Sequence, residues 1–455
     1  MSSALRLARS QETLWEFVFC FAPRDPGRLG YNVFDVVTWD GPVDPDLFRL
    51  AVGDVMRRHD ALRIVFTDVS LDPTIRIEDE VDTTITFADL SALPEVRQQA
   101  QRASLLGYER TRAFDLRAGP LWRATLLRLS EDRHLVAVSM FHLIADGWST
   151  GVFLRDLRAA YLARAGQGPP LPPLRLPYQA AMGLGSRGSD AAAARRRAEF
   201  WRRTLTPLPD VWPYEPALDS PEADVGASAT IGAPIDAELV DRLHAFARRQ
   251  RITPFLLFLA AYRILLGVRT GWPRVVIGTA TAGRDVPGAE DLIGQFTQNI
   301  YISSVIEPSV SLVDAIGIVR SAMYDAMRHT ASFYEIARAV NPEFDAVRPW
   351  PFLLLYHSWF QSAAPEAEPA PPAGLHEHRG RMPVPGDRDA ATPRLWAKRG
   401  EPGLVVRHDR RGAVMNYNPT LYPREEMVST LQGYTAVLTA LLADPHQRVG
   451  DLRPA

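Results

Sequence analysis

The segment FHLIADGWS (Phe141–Ser149) places an imidazole, a carboxylate and a glycine turn close together. His142 ends an aliphatic segment, and Asp146 with Gly147 forms a turn signal just after it. Imidazole is the side chain whose unperturbed pKa suits proton transfer near neutral pH. Asp146 can hydrogen-bond nearby backbone or pair with an arginine. The segment therefore predicts acid–base chemistry at His142, with a satisfied polar residue at a strand end as the alternative.

Other reactive groups stand in weaker patterns. Neither a GxSxG nucleophile turn nor an HExxH zinc helix occurs in the sequence. His376–His378 (HEH) lies beside a proline-rich stretch and lacks ligand spacing elsewhere, which favours a solvated loop over a metal site. Cys20 lies in the apolar stretch FVFCF, which predicts a packed thiol rather than a nucleophile. The sequence therefore predicts no metal site.

The predicted proton-transferring group needs rigid elements around it. His134–Phe141 is mostly apolar on both faces, which predicts a buried central strand. Ser149 is the predicted cap of the helix that follows. Strand and helix signals also interleave in the rest of the chain, so we expect an α/β fold. The apolar stripe of that helix is Phe153, Leu157 and Tyr161; further strands are predicted at Tyr31–Trp39 and Arg274–Ala282, and further helices after caps at Asp44 and Asp236 and over Pro254–Val268.

Composition limits the possible partners. With 455 residues, the chain exceeds what one compact core usually holds, and the proline-dense segment Gly166–Pro177 is the predicted connection between two lobes. A formal net charge of -2 gives no field that favours nucleic acid or an anionic membrane. A single cysteine and the lack of a signal-peptide pattern predict a cytoplasmic protein. No apolar run approaches the ~20 residues of a membrane helix.

FHLIADGWS resembles the HHxxxDGxS motif of condensation domains in nonribosomal peptide synthetases. Other segments resemble further signatures of the same family, in the family's order, and the resemblance covers nearly the whole chain. These segments are RSQETLWEF (Arg9–Phe17), RRHDALRIVF (Arg57–Phe66, against RHExLRTxF), GTATAGRD (Gly278–Asp285, against GTPVAGR), DLIGQFTQN (Asp291–Asn299, against IGxFxNT) and MNYNPTLYPREEM (Met415–Met427, against YNxxLF).

The resemblance implies a fold of two chloramphenicol-acetyltransferase-like lobes, arranged as a V-shaped pseudo-dimer with the active site in a tunnel between them. On this basis residues 1–175 form the N-terminal lobe and residues 176–455 the C-terminal lobe. A crossing segment near residues 360–390, around the proline-rich stretch Ala363–Gly374, would bridge the two. No part of the chain remains for an adenylation or carrier domain, so we expect a free-standing protein or one cut from a larger synthetase.

The resemblance also implies a reaction in natural-product biosynthesis. The family joins a carrier-bound acyl thioester to an amine, sometimes an alcohol, without ATP, metal or bound cofactor. The expected partners are an acyl or peptidyl carrier protein, with its phosphopantetheine arm, and a small-molecule nucleophile.

Each expected catalytic residue matches a position of the family motif. His142 corresponds to the second motif histidine, expected to orient the nucleophile or take its proton. Asp146 corresponds to the motif aspartate, a catalytic candidate that is expected mainly to pair with Arg284 across the lobes. Gly147 corresponds to the motif glycine, whose backbone N–H is expected near the reacting centre, where a developing oxyanion needs a donor.

The sequence departs from the family at several positions. Phe141 occupies the place of the first motif histidine, which is largely structural in the family. Gln298 replaces the asparagine of IGxFxN. The segment LLLYHSWFQ (Leu353–Gln361) replaces the strand VMFxLQN and brings new side chains toward the tunnel. The residues predicted to line the tunnel are Phe141, Trp148, Ser149, His357 and Ser358.

Phe141 leaves a second function open. A relative that has lost catalysis could recruit a tailoring enzyme or gate a carrier protein. The presence of both His142 and Asp146 favours the enzyme, because a platform has no need for the pair. A different reaction on a carrier-bound substrate, such as cyclisation or elimination, is a third possibility.

Overall fold

The chain forms two compact units, each built from helices and sheet. The first unit comprises Met1–Ser189, Ala282–Gln298 and Glu368–Asp387, and the second comprises Asp190–Thr281, Asn299–Ala367 and Arg388–Ala455. The computed structural model describes residues 4–12, 14–15, 28–29, 31–70, 72–83, 85–184, 191–206, 229–342, 358–363, 376–379, 403–407, 412–417, 419 and 422–453.

Strands and helices alternate along the chain, as the mixed sequence signals predict. The strands are β1 (Leu5–Arg6), β2 (Arg28–Leu29), β3 (Asn32–Asp40), β4 (Ile64–Asp68), β5 (Thr74–Ile77), β6 (Ile85–Asp89), β7 (Phe114–Asp115), β8 (Trp122–Ser130), β9 (Arg133–Phe141), β10 (Ala229–Pro234), β11 (Arg274–Thr281), β12 (Gln298–Val305), β13 (Ser358–Ala363), β14 (His376–Arg379), β15 (Gly403–Arg407) and β16 (Gly412–Tyr417). The helices are α1 (Pro45–Arg58), α2 (Glu95–Thr111), α3 (Gly147–Arg164), α4 (Tyr178–Met182), α5 (Ala191–Leu205), α6 (Ala237–Arg249), α7 (Pro254–Thr270), α8 (Leu312–Arg328), α9 (Phe333–Val340) and α10 (Arg424–Ala443).

The main sheet of the first unit has the strand order β14–β3–β9–β8–β6. β9 is antiparallel to both β3 and β8, whereas β6 runs parallel to β8. All of β9 from His134 to Phe141 is buried, as an apolar run on both faces requires. The predicted central strand is confirmed, and it ends immediately before His142.

Helix α3 follows this strand after a short turn and packs against β3, β9 and α1. Ser149 is not its cap, contrary to the prediction from sequence. Asp146 caps the helix because its carboxylate accepts the backbone N–H of Ser149, and the Ser149 hydroxyl accepts the N–H of Asp146. The predicted apolar stripe of the helix is buried, at Phe153, Leu157 and Tyr161.

The proline-dense segment Gly166–Pro177 packs onto the first unit. Its side chains Leu171, Leu174 and Leu176 contact the core of that unit, and Tyr178 of α4 is buried in the same core. These apolar side chains are shielded from water by the core of the first unit. The first unit therefore continues past residue 175.

The segment His376–Arg379 forms the edge strand β14 and pairs antiparallel with β3. The interpretation of His376–His378 as a solvated loop is therefore wrong. The exposed edge of β3 offers backbone donors and acceptors, and this segment pairs with them. The neighbouring proline-rich residues 364–374 and Cys20 lie outside the described residues.

The second unit contains a sheet with the order β10–β16–β15–β13–β11–β12. Helix α7 is buried from Leu256 to Leu266 and packs against α6, α8 and α10, which explains its almost uninterrupted apolar sequence. The elements predicted from sequence are confirmed here: α7, β11, and α6 with Asp236 as its cap, accepting the Leu239 N–H at 3.0 Å. β3 and α1, with Asp44 as the α1 cap, are confirmed in the first unit.

None of the described helices is by itself long and apolar enough to cross a bilayer. Only α6 and α7 taken together, bent by 106° at their junction, reach the required length and composition.

Candidate active site

His142 stands directly after β9, half-buried and tightly held. Its backbone N–H donates to the Tyr31 carbonyl at 2.8 Å. Its ring stacks on the Tyr31 ring, with centroids 5.1 Å apart and planes 12° from parallel. Burial lowers the pKa of His142 below its ordinary value, although backbone groups of His142 and Ala145 and the charge of Asp146 favour the protonated ring. The site therefore holds a neutral imidazole at neutral pH.

Asp146 is completely buried, and both of its carboxylate oxygens are occupied. Oδ1 accepts the backbone N–H and the hydroxyl of Ser149, at 3.0 and 2.7 Å. Oδ2 accepts the backbone N–H groups of Phe296 and Thr297, at 3.1 and 3.2 Å, and the Thr297 hydroxyl at 3.2 Å. Arg284 completes the set of donors through Nη1–Oδ2 (2.6 Å) and Nη2–Oδ1 (3.0 Å).

The protonation state of Asp146 follows from these donors. Burial by itself would raise the pKa of the carboxyl, but the hydrogen bonds and charge of Arg284, with the bonds from Ser149, outweigh it. The pKa of Asp146 is therefore below its usual value. Asp146 is a fixed anion near neutral pH, with no free lone pair to take a proton.

Arg284 belongs to the segment Ala282–Gln298, which is part of the first unit. The ion pair with Asp146, expected across two lobes, thus lies within one compact unit. The Arg284 side chain is only 4% exposed, and its guanidinium stacks over the rings of Phe296 (4.5 Å) and Trp148 (5.6 Å). Both rings lie within cation–π distance of the guanidinium and stabilise the cation.

Ser149 joins the start of α3 to the same later segment. Its hydroxyl accepts the Gly294 N–H at 3.0 Å and lies 2.9 Å from the Gly294 carbonyl oxygen. A Cβ at Gly294 would stand 2.6 Å from Cε2 of Phe296 and 2.9 Å from Cε2 of Tyr178. Only glycine therefore fits where this segment meets α3.

Gly147 is the first residue of α3 and is exposed. Its N–H is one of the helix's N-terminal donors, which have no intrahelical acceptor, and it lies at the positive end of the helix dipole. A Cβ at Gly147 would meet no atom within 4 Å. Trp148, next in sequence, is 50% exposed and donates its Nε1–H to the Glu290 carbonyl at 2.9 Å. The start of α3 thus places an exposed glycine, whose N–H has no acceptor within its own helix, beside an exposed aromatic ring.

The residues predicted to line a tunnel have different surroundings. Phe141 and Ser149 expose no surface, because Phe141 packs in the core near Phe66 and the Ser149 hydroxyl is bonded on several sides. Ser358, in the second unit, is also completely buried, with Oγ 2.5 Å from Oη of Tyr262. Of the predicted set, Trp148 is exposed, and His357 lies outside the described residues.

Two polar residues near the N-terminus bind the segments that form this site, Gln11 the turn after His142 and Ser10 the segment 282–298, and the sequence did not assign these contacts. Gln11 is completely buried; its Nε2 donates to the Leu143 carbonyl at 3.0 Å, and its Oε1 accepts the Ala8 N–H at 3.0 Å. The Ser10 hydroxyl donates to the Gln295 carbonyl at 2.5 Å. The motif-like segment RSQETLWEF was the available signal, but it did not say which backbone groups these side chains bind.

The segment RRHDALRIVF anchors the middle of α3. Arg58 Nε and His59 Nε2 both lie 2.9 Å from the Asp156 carboxylate, and all three side chains are almost completely buried. Arg155 approaches the other oxygen of the same carboxylate at 2.9 Å. This network fixes the middle of α3, well away from the cap at Asp146. Within the described part of the chain, no cluster of His, Cys, Asp or Glu side chains has the arrangement of a metal site.

Comparison with known proteins agrees with this geometry. The condensation domain family model matches residues 6–348. Phosphinothricin tripeptide synthetase PhsC of Streptomyces viridochromogenes is 34% identical over 306 residues, which are 67% of this chain and 28% of that protein. The chain thus spans less than a third of the length of this relative.

Solved structures share the fold. The SgcC5 protein from Streptomyces globisporus superimposes with a TM-score of 0.73 at 24% identity, covering 97% of this chain and 100% of that one. The X-domain in the complex of the X-domain and OxyB from teicoplanin biosynthesis superimposes with a TM-score of 0.74 at 22% identity, covering 100% and 97%. The chain therefore belongs to the condensation domain family of nonribosomal peptide synthetases and has its chloramphenicol-acetyltransferase-like fold.

Proposed function

We propose that this chain is an acyltransferase that joins a carrier-bound acyl or aminoacyl thioester to an amine or alcohol. The observation that carries the proposal is the neutral, stacked imidazole of His142 in the turn that leads to Gly147, the exposed first residue of α3. The acyl group would arrive on the phosphopantetheine arm of a carrier protein, and the nucleophile would be a small molecule. A cytoplasmic location remains the prediction made from the sequence.

The proton balance assigns His142 its role. The amine nitrogen attacks the thioester carbonyl carbon, a C–N bond forms, and the nitrogen must lose a proton. Because Nδ1 of His142 is enclosed, we assign Nε2 as the acceptor of that proton. Collapse of the tetrahedral intermediate breaks the C–S bond, and the imidazolium returns the proton to the departing thiolate. A lowered pKa suits this cycle, because the ring must be unprotonated when the amine arrives.

Gly147 and Asp146 have different proposed roles beside His142. The N–H of Gly147, at the positive end of α3, would donate to the oxyanion of the intermediate. Asp146 was a catalytic candidate from sequence, but its saturated and fully buried carboxylate supports a positioning role instead. It fixes the turn that carries His142 and the segment that carries Arg284.

Replacing His142 by alanine tests the proposal. General acid–base catalysis contributes about 10²–10⁴-fold, so product formation from a loaded carrier protein and an amine should fall by that factor. His134→Ala is the matched control, because His134 is a buried histidine at the other end of β9. Undiminished turnover in the His142 variant, with the carrier still bound, would remove the catalytic assignment.

A second function is favoured by one observation, the phenylalanine at position 141. The chain would then be a platform that recruits a tailoring enzyme or gates a carrier protein. The likeness to the X-domain in its complex with OxyB supports this only at the level of fold. The platform predicts that a purified sample binds a tailoring enzyme from its pathway and leaves every loaded carrier unconsumed, with His142→Ala changing neither property.

A further inference from the structure

A cleft opens between α1, the C-terminal end of α3 and the proline-dense segment Gly166–Pro177. Its volume is about 640 Å³, within the range of about 300–1,000 Å³ that is usual for small-molecule sites. The part of α3 that lines it ends at Arg164, which lies about 25 Å along the helix from Gly147. The cleft is therefore separate from the turn that carries His142.

Part of the lining of this cleft is apolar. Helix α3 contributes Ala160 and Ala163, whose small side chains leave the space open. Apolar surface that remains accessible inside a cleft can bury the apolar chain of a ligand. The proline-dense segment supplies most of this surface through two prolines and two partly buried leucines, Pro170, Pro173, Leu171 and Leu174.

The charged part of the lining has an excess of cations. The guanidinium groups of Arg57, Arg58 and Arg164 lie there with a single carboxylate, that of Asp54. Arg164 donates to this carboxylate through Nε and Nη2 at 2.8 and 2.7 Å, and Arg57 donates through Nη2 at 2.7 Å. Hydrogen bonds from Arg164, and then from Arg57, outweigh the effect of burial and hold the pKa of Asp54 below its usual value. The two arginines therefore share one anion.

Each of the three arginines keeps a donor that bonds to none of the described residues. For Arg57 and Arg164 this donor is Nη1, because their other bonds go to Asp54. Arg58 donates to Asp156 through Nε and to the Pro172 carbonyl through Nη1, which leaves its Nη2. The Arg58 side chain is only 12% exposed, so its remaining donor is held in place. The cleft thus offers several N–H groups of the kind that bind a carboxylate.

We propose that this cleft binds an amphipathic carboxylate, a small molecule with a carboxylate on an apolar chain. The carboxylate accepts the remaining guanidinium N–H groups, and the chain covers Leu171 and Leu174. The bidentate bond of Arg164 to Asp54 already has the geometry in which arginine binds carboxylates. Because Asp54 competes with the ligand for Arg57 and Arg164, it lowers the affinity of the cleft. Binding is measured without turnover, so the proposal does not rest on the proposed function.

The test is an NMR titration of the full chain with octanoate, using ¹³C-labelled leucine methyl groups. The signals of Leu171 and Leu174 are assigned by their loss in Leu171→Ile and Leu174→Ile. Octanoate should shift both signals until they saturate. Acetate lacks the chain and octanamide lacks the charge, so each should bind at least about tenfold more weakly than octanoate.

Two variants should change the affinity in opposite directions. Asp54→Asn removes the competing carboxylate and should tighten octanoate binding by about tenfold, whereas Arg164→Gln removes a donor and should weaken it by about the same factor. Both side chains are partly exposed, so we expect both variants to fold. Arg49→Gln is the matched control, because Arg49 pairs with Asp46 on α1 and does not line the cleft.

The outcomes decide the proposal. Tighter binding in Asp54→Asn with weaker binding in Arg164→Gln would support a carboxylate site. Octanamide binding as tightly as octanoate, affinities unchanged in both variants, or no saturable shift at Leu171 and Leu174 would each overturn it. If either variant does not fold, Ala163→Leu takes its place, since the larger side chain fills the cleft and should abolish the shifts. Unchanged shifts in Ala163→Leu would also overturn the proposal.

Discussion

Removing the Arg284 cation should destabilise the first unit strongly. Arg284→Gln leaves the carboxylate of Asp146 completely buried without its counterion. Breaking a buried ion pair on one side costs about 3–5 kcal/mol. The donors from Ser149, Phe296 and Thr297 remain, so we expect the lower end, about 3 kcal/mol. For a unit of roughly 150–250 residues, this corresponds to a Tm lower by about 6–12 °C.

The loss should depend on pH. In the native protein the pKa of Asp146 is lowered, so its stabilisation is present above the ordinary carboxyl pKa and is lost only in more acidic solution. Without Arg284, we expect burial to outweigh the remaining bonds from Ser149, so that the pKa of Asp146 is raised and the folded variant takes up a proton as the pH falls. The deficit should therefore be largest at about pH 7.5 and smaller at about pH 5.

Calorimetry at the two pH values measures both effects. Arg49→Gln is the control, because the Arg49–Asp46 pair is exposed and worth about 0–1 kcal/mol. The double variant Asp146→Asn with Arg284→Gln removes both charges and should recover part of the loss. A Tm change in Arg284→Gln no larger than that in Arg49→Gln, or a deficit independent of pH, would refute the assignment of Asp146 as a buried, Arg284-dependent anion.

The remaining predictions concern the turn that carries His142 and Asp146, and its packing. If the proposed function holds, kcat/KM expressed per unprotonated amine should stay flat from about pH 8 to the ordinary histidine pKa near 6.5 and fall only below it, because burial lowers the pKa of His142. An acidic limb centred above about 6.5 would contradict this. Gly294→Ala should lower the free energy of unfolding by about 1–3 kcal/mol, because its Cβ would overpack against Phe296 and Tyr178. Gly107→Ala, in α2 with nothing within 4 Å, should raise the free energy of unfolding slightly. Equal thermal shifts in the two variants would refute the close packing at Gly294. Phe141→His, which restores the usual motif, should lower the free energy of unfolding by about 1–3 kcal/mol, because the position is fully buried beside Phe66. A gain in turnover in this variant would show that the position contributes to the chemistry.

Local features were readable from the sequence because their causes are local. The caps at Asp44 and Asp236 and the doubly apolar strand β9 depend on neighbouring residues only. The cap of α3 was misassigned because Asp146 and Ser149 are both good capping residues, and only the turn geometry decides between them.

The supporting contacts of the site were not readable, because they join distant residues. Ser10 binds a carbonyl 285 positions away, and Gln11 binds one 132 positions away. Family resemblance supplied His142, Asp146 and Arg284. No periodicity or spacing in the sequence indicates which backbone groups Ser10 and Gln11 bind.

The late segment Ala282–Gln298 has a consequence for engineering by recombination. In chain order it follows Asp190–Thr281, which belongs to the second unit, but it is itself part of the first unit. A chimera with its crossover between α4 and residue 282 would combine Asp146 from one parent with Arg284 from the other. Such chimeras should keep the Asp146–Arg284 ion pair intact only when residues 1–189 and 282–298 come from the same parent.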